Sequence, residues 1–150
     1  MLAVAKYCIE YKKEIKELGK KGCYGYPATI LLFSIADSIG SYVIGGKSKK
    51  HFQILNHKDY YNLKLNQKDL KIIYDNYRGI LTHNAALPTR HFLDIGHAKS
   101  PVFEYRKDIP HINLWPFLKL SEAVVKKFLQ QDKEIVMKSK KVSDIRAKGR

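Results

Sequence analysis

A chain of 150 residues is long enough to fold as one domain with a real core, and 45% hydrophobic with 28% charged residues is a globular composition. The 28 Lys and Arg against 14 Asp and Glu give a formal net charge of +14, which favours RNA or DNA over an acidic protein as the partner. The alternative is that the excess charge only keeps the protein soluble. Two isolated cysteines exclude a disulfide framework and a zinc site.

The sequence shows no signal peptide. Its longest apolar run, residues 28–36, is far shorter than the roughly 20 residues that a membrane-spanning helix needs. We therefore expect a protein of the reducing cytoplasm with no membrane partner.

Helical spacing of apolar residues predicts the first two helices. Residues 2–18 are amphipathic, with Cys8 expected as a buried thiol on the apolar stripe that follows: Val4, Tyr7, Cys8, Tyr11, Ile15 and Leu18. Residues 26–44 are apolar on most sides and are expected to form the central buried helix, which Gly45-Gly46 ends.

The second helix carries a stripe of mostly small residues: Ser34, Asp37, Ser38 and Ser41. With Gly40 beside them, these residues let another helix approach closely. Asp37 must be paired or hydrated, because a lone buried carboxylate is costly. It either supports Arg78 or His83, or it forms an ordinary ion pair or a hydrated helix edge.

Lysines and a polar helix stripe supply candidate RNA contacts. Residues 47–50 form a basic loop with Lys47, Lys49 and Lys50, followed by a turn or two of helix. A third long helix is predicted over residues 67–82, where Lys71 and Arg78 lie on a polar stripe beside the buried one.

The remaining chain is predicted as extended segments, a helix and a tail. Residues 91–95 and 102–106 both alternate between apolar and polar side chains, which indicates a short β-hairpin or an extended arm. Residues 117–137 are predicted as the last helix and complete a single domain over residues 1–137. The basic residues 138–150 are expected to be a disordered tail.

Arg78 and His83 have the chemistry for RNA cleavage. Arginine binds phosphate with two parallel hydrogen bonds, and histidine transfers protons near neutral pH. We expect Arg78 to hold the scissile phosphate and His83 to transfer the proton, with Thr82 or Asn84 adding a hydrogen bond. Gly79 leaves space beside the imidazole. The scheme uses no metal and no cofactor. One histidine cannot easily serve as both acid and base, so a homodimer that brings two copies of His83 together fits the scheme better.

The Arg78-x4-His83 segment, preceded by Tyr74 and Tyr77, resembles the HEPN family. Residues 26–41 are also similar to the helix that bacterial HEPN-like proteins place before this motif. The resemblance covers residues 26–130. It implies an α-helical bundle of four to five helices and a homodimer whose two Arg–His segments meet in one cleft. In many members that cleft is a metal-independent endoribonuclease serving toxin–antitoxin, CRISPR or phage-defence systems.

The chain departs from the family pattern at one position. The residue after the motif arginine is usually Asn, Asp or His, and its side chain commonly assists catalysis, whereas this chain has Gly79. Two alternatives to a nuclease therefore remain open. One is an inactive HEPN-type module that binds RNA, a nucleotide or a nucleotidyltransferase-like antitoxin. The other is a helical interaction domain in which Arg78 pairs with Asp75 or Asp37.

Overall fold

The helix α2 (Gly25–Val43) lies at the centre of the fold and packs against most of the other helices. This computed structural model describes residues 1–11, 13–15, 20–80 and 86–131. In chain order its other helices and strands are α1 (Leu2–Glu10), β1 (Lys13–Ile15), β2 (Lys20–Gly22), α3 (Ser48–His51), a 3₁₀ helix (Phe52–Asn56), α4 (Gln67–Ile72), a π-helix (Ile73–Ile80), β3 (Phe92–Asp94), β4 (Phe103–Arg106), β5 (Ile109–Asn113) and α5 (Leu114–Gln131).

The described residues are mainly helical with one small three-stranded sheet and a two-stranded β1–β2 hairpin. This confirms the mainly α prediction. None of the individual helices in the described ranges combines the length and apolar composition needed to cross a bilayer; α2 meets that test only together with residues 48–56, which turn away from it by 98°.

The core forms around aromatic side chains from three elements. Phe33 of α2 contacts Phe52 of the 3₁₀ helix and Phe117 of α5, with ring centroids 5.8 and 5.0 Å apart. All three rings are buried, and burial of such rings dominates core energetics. The prediction that α2 is the central buried helix is confirmed.

The close approach predicted beside Gly40 is present. Gly45 and Gly46 have φ values of +68° and +85°, a conformation that glycine adopts without strain, and they turn the chain back across α2. A Cβ atom at Gly40 would lie 2.2 Å from the carbonyl oxygen of His51, so only glycine fits this position. Gly40 thereby allows α3 to pack against the C-terminal end of α2.

The first helix is shorter than predicted. It ends at Glu10, since Tyr11 is extended and the backbone then forms β1 and β2, so the prediction of a helix over residues 2–18 is wrong beyond residue 10. The buried face of α1 consists of Ala5, Cys8 and Ile9. Cys8 is buried as predicted, but Val4 and Tyr7 of the proposed stripe are exposed. Apolar residues at helical spacing lie on two adjacent faces of α1. The face with Ala5, Cys8 and Ile9 packs on the core, and the face with Val4 and Tyr7 does not.

The two alternating segments are strands, but the predicted hairpin between them is wrong. β3 pairs in parallel with β5, and β4 pairs antiparallel with β5, so that β5 is the central strand. The tight turn lies at Lys107 and Asp108, whose φ values of +50° and +62° match the left-handed geometry of a two-residue hairpin. Residues 95–101 therefore form a connection between two edge strands.

The Glu104 carboxylate on β4 is a pH-sensitive part of this sheet. Hydrogen bonds from Asn113 and then from Arg106 lower the pKa of Glu104 below its ordinary value. A carboxyl group whose pKa is lowered by folding stabilises the fold at pH values above its ordinary, unfolded-state pKa. This stabilisation is lost as the pH falls through the folded-state pKa.

We therefore expect Glu104→Gln to lose less thermal stability than the wild type between about pH 7 and about pH 3. The difference should be a few degrees in melting temperature by circular dichroism. Glu10→Gln, at an exposed ion pair with Lys6, makes the same charge change and should follow the wild-type curve. Parallel curves for Glu104→Gln and the wild type would contradict the assignment.

The third predicted helix changes its geometry in the middle. Residues 67–72 are α-helical and Ile73–Ile80 are π-helical, while Leu81 and Thr82 lie outside the described residues. Tyr77 anchors the π-helix to the sheet. Its hydroxyl donates to the carbonyl oxygen of Pro110 in β5 and contacts that of Phe92 in β3, and burial raises its pKa.

The last helix, α5, begins at Leu114, three residues before the predicted start, and is described to Gln131. Residues 132–150, which include the predicted tail, lie outside the described part of the chain.

Candidate functional site

Arg78 lies in the π-helix with its guanidinium directed at α2. Its Nη2 atom is 3.5 Å from Oδ2 of Asp37, and its Cζ atom lies 5.7 Å from the centre of the Tyr74 ring. The Arg78 side chain is 28% exposed. A half-buried guanidinium that one carboxylate holds on one side keeps several of its five N–H donors for a ligand. The sequence left open whether Asp37 supports a catalytic Arg78 or only forms an ordinary ion pair with it, and the observed contact agrees with both.

His51 also contacts Asp37, a contact that the sequence analysis did not predict. Its Nδ1 atom lies 2.8 Å from Oδ1 of Asp37, and its Nε2 atom lies 3.1 Å from the carbonyl oxygen of Gly46. Both partners are acceptors, so the two contacts are fully satisfied only when both ring nitrogens carry hydrogen. His51 is therefore engaged on both sides and orients Asp37.

We call Asp37, His51 and Arg78 the Arg78 cluster. Its members come from α2, α3 and the π-helix, and the close approach at Gly40 is what brings His51 to Asp37. The glycines at positions 40, 45 and 46 were the sequence signal that could have revealed this contact. The Asp37 carboxylate contacts both the Arg78 guanidinium and the His51 imidazole.

Gly79 follows Arg78 in the π-helix, a geometry that occurs frequently at functional sites. A Cβ atom at Gly79 would lie 3.2 Å from the carbonyl oxygen of Tyr74, five residues earlier. This is tighter than ordinary van der Waals contact. Gly79 therefore suits the backbone geometry of the π-helix. This is a structural reason for glycine at the position where the HEPN pattern has a polar residue.

Three of the four predicted RNA-contacting lysines lie beside the Arg78 cluster. Lys47, Lys49 and Lys50 are exposed, and with Gly46 and Gln53 they line an open groove of about 580 Å³, which we call the lysine groove. Gly46 belongs to this groove and also accepts the hydrogen bond from His51. The groove and the cluster therefore meet at Gly46.

Lys71 does not share this arrangement. Its ammonium forms an ion pair with Asp75 one helical turn later, at the exposed side of α4. A surface pair of this kind contributes little stability, but it neutralises the charge that was expected to face RNA. Of the four lysines, Lys71 is thus the weakest candidate contact.

His83, Thr82 and Asn84 lie outside the described residues, so the structure places Arg78 without its predicted catalytic partner. The other histidines that it describes have contacts of their own. His91 lies 2.8 Å from the Asn76 amide, and His111 lies 2.6 Å from Asp94.

None of the protein-family models, curated proteins or solved structures that were compared with the chain matches it. The case for function therefore depends on the residues themselves. Across residues 1–11, 13–15, 20–80 and 86–131, no three His, Cys, Asp or Glu side chains lie together in a way that could hold a metal ion.

Proposed function

We propose that this protein is a HEPN-type endoribonuclease that acts as a homodimer without a metal. The observation that carries the proposal is the half-buried Arg78 guanidinium, which Asp37 holds beside the lysine groove. Lysines attract the RNA backbone without regard to sequence, and an oriented arginine binds one phosphate with defined geometry. The Arg–His spacing and the +14 charge support the same function.

The proposed reaction is an internal transfer at phosphorus. The 2′-oxygen forms a bond to the adjacent phosphorus while the bond from phosphorus to the 5′-oxygen breaks. One fragment then ends in a 2′,3′-cyclic phosphate and the other in a 5′-hydroxyl. Arg78 stabilises the charge that develops on the phosphate oxygens. His83 takes the proton of the 2′-hydroxyl, and the partner subunit's His83 gives a proton to the departing 5′-oxygen.

Asp37 and His51 prepare Arg78 for this role. An unpaired guanidinium that is largely buried is costly, and Asp37 compensates its charge before RNA binds. His51 holds the carboxylate at a fixed place. Because Asp37 already holds one side of the guanidinium, Arg78 is oriented in advance and does not have to be ordered when RNA binds. The phosphate binds the N–H donors that remain.

The purified wild type is expected to cut labelled RNA in the presence of EDTA. Denaturing gels should show 5′ fragments that migrate more slowly once acid has opened the cyclic phosphate and phosphatase has removed the resulting phosphate, because these fragments lose negative charge. The matching 3′ fragments should carry 5′-hydroxyl ends. A size measurement by light scattering should give a dimer. RNA that stays intact with a folded dimer would contradict the proposed reaction.

A second candidate function is an inactive HEPN-type module that binds RNA or a nucleotidyltransferase-like antitoxin. Two observations favour it: Gly79 lacks the usual polar side chain, and Asp37 already occupies one side of Arg78. RNA binding without cleavage by the wild type, at unchanged affinity in His83→Ala, would identify this function. A role in a toxin–antitoxin or phage-defence system belongs to both candidates.

A further inference from the structure

A large cleft lies at the opposite end of α2 from the Arg78 cluster. Its volume is about 820 Å³, within the range of about 300–1,000 Å³ that small-molecule sites occupy. The first residues of α2 form one wall, and β3 with the connection that follows forms the other. The side chains that define its chemistry are Tyr24, Tyr26, Asp94, His97, Ser100 and Arg106. We call it the tyrosine cleft.

Two aromatic rings on one wall of this cleft are open to solvent. Tyr24 is 38% exposed and Tyr26 is 42% exposed. Tyr24 is fixed by stacking on Tyr11, with ring centroids 4.8 Å apart and an angle of 19° between the planes. Exposed tyrosines at a fixed position are the usual platform on which proteins stack unpaired bases.

The other wall offers hydrogen-bonding groups at fixed positions. The Arg106 guanidinium donates to Asp94 Oδ2 at 2.9 Å and is also held by Glu104. Asp94 Oδ2 further contacts Nδ1 of His111, at 2.6 Å. Arg106 also donates from Nη2 to Glu104 and to Asn113, so one N–H group on Nη1 and the flat face of the guanidinium remain for a ligand. Asp94 presents its second carboxylate oxygen as an acceptor. Base edges carry complementary acceptors and amino groups.

We propose that the tyrosine cleft binds one unpaired nucleotide of an RNA strand, with the base packed against Tyr24 and Tyr26 and its edge facing Asp94 and Arg106. The proposal rests on RNA being the ligand of this protein. The occupant is nucleic acid because the chain carries a net charge of +14, to which a polyanion is complementary. The occupant is unpaired because a base inside a duplex has no free face to stack.

The distance between the two sites suits a single strand. The start of α2 and Asp37 are separated by twelve residues, which is about 18 Å along a helix with a rise of about 1.5 Å per residue. A strand of a few nucleotides therefore reaches from the tyrosine cleft to the Arg78 cluster. The cleft fixes which phosphate faces Arg78, and so it acts as a specificity site for the proposed cleavage.

The test is the affinity of a fluorescent oligouridine, measured by anisotropy in EDTA, with His83→Ala in every protein so that the probe stays intact. Adding Tyr24→Leu and Tyr26→Leu should weaken binding about tenfold or more, because loss of one base–aromatic stack has an effect of this size. Adding Tyr24→Phe and Tyr26→Phe keeps both rings and should leave the affinity near that of the parent. Leu129→Ala, at a 70% exposed apolar side chain on α5 outside the cleft, is the control.

Salt separates stacking from charge. The loss in the double leucine variant should be the same at low and at higher salt, whereas replacing Lys47, Lys49 and Lys50 by glutamine should make the dependence of affinity on salt less steep. Thermal unfolding checks that each variant is folded. The tyrosines and lysines that are changed are all exposed, so we expect little loss of stability from replacing them.

The outcomes distinguish this site from the proposed reaction. Equal affinities for the leucine variant and its parent overturn the tyrosine cleft, while cleavage by the wild type still upholds the nuclease. Tyrosine-dependent binding without any wild-type cleavage upholds the cleft and overturns the nuclease. Absence of RNA binding by every protein overturns both.

Discussion

Replacing His83 with alanine is expected to reduce kcat for RNA cleavage by about 10²–10⁴-fold, the usual contribution of a general acid–base residue. RNA affinity should change little, because the lysine groove supplies most of the attraction for the phosphate backbone. Single-turnover cleavage in EDTA, with protein in excess over labelled RNA, measures the chemical step directly.

Arg78→Lys is the companion test, since it keeps the charge and removes the planar pair of donors. We expect kcat to fall by about 10²–10³-fold, as for loss of one donor to a developing oxyanion, with nearly unchanged RNA affinity. Arg90→Lys makes the same exchange at an exposed arginine and should cleave like the wild type. Cleavage that persists in both the His83 and Arg78 variants would show that these residues do not form the active site.

Replacing Gly40 with alanine is expected to have the largest effect on stability. The added Cβ atom would meet the backbone of His51, with its carbonyl oxygen at 2.2 Å and its carbonyl carbon at 2.8 Å. Neither atom belongs to a flexible side chain, so α3 as a whole must move. Overpacking of a core contact costs about 1–3 kcal/mol and occasionally more, and we expect a loss at the top of that range.

For a chain of this size, about 3 kcal/mol corresponds to a fall of about 6–12 °C in melting temperature. Differential scanning calorimetry measures it. Gly25→Ala, on the same helix, is the matched control: its Cβ would meet Leu114 and Leu93 at an ordinary 3.6 Å. The Gly40 variant should also lose RNA cleavage at temperatures where it is folded, because His51 then moves away from Asp37. A melting temperature equal to that of the wild type would contradict the predicted close approach.

Local patterns predicted the helices well where one signal dominated. In α2, apolar residues on most sides, Pro27 in the first turn and the Gly45-Gly46 pair agree with one another, and the observed ends lie within a residue of the predicted ones. In α1 the signals conflicted: Tyr7 and Tyr11 fit a helical stripe by spacing, yet a short helix buries the smaller Ala5 and Ile9 instead.

Contacts between distant segments were harder to predict. The alternating pattern identifies β3 and β4 as extended, but it contains no information about their partner, and β5 lies between them. At the candidate site, the position of Asp37 on α2 suggested a partner for Arg78, and Asp37 lies 3.5 Å from it. His51 was missed because its contact depends on how tightly the chain turns back at Gly45 and Gly46, and helical periodicity says nothing about such a turn.

The hydroxyl of Tyr77 links the three-stranded sheet to the position of Arg78. Tyr77 precedes Arg78 in the chain. Its hydroxyl joins the π-helix to carbonyl groups of the central strand β5 and of the edge strand β3. A change that slides β5 by one residue would therefore rotate the guanidinium away from Asp37 without altering any side chain of the cluster. Sequence variants that preserve activity should therefore carry no insertions in β5, nor in the connection over residues 95–101, which forms one wall of the tyrosine cleft.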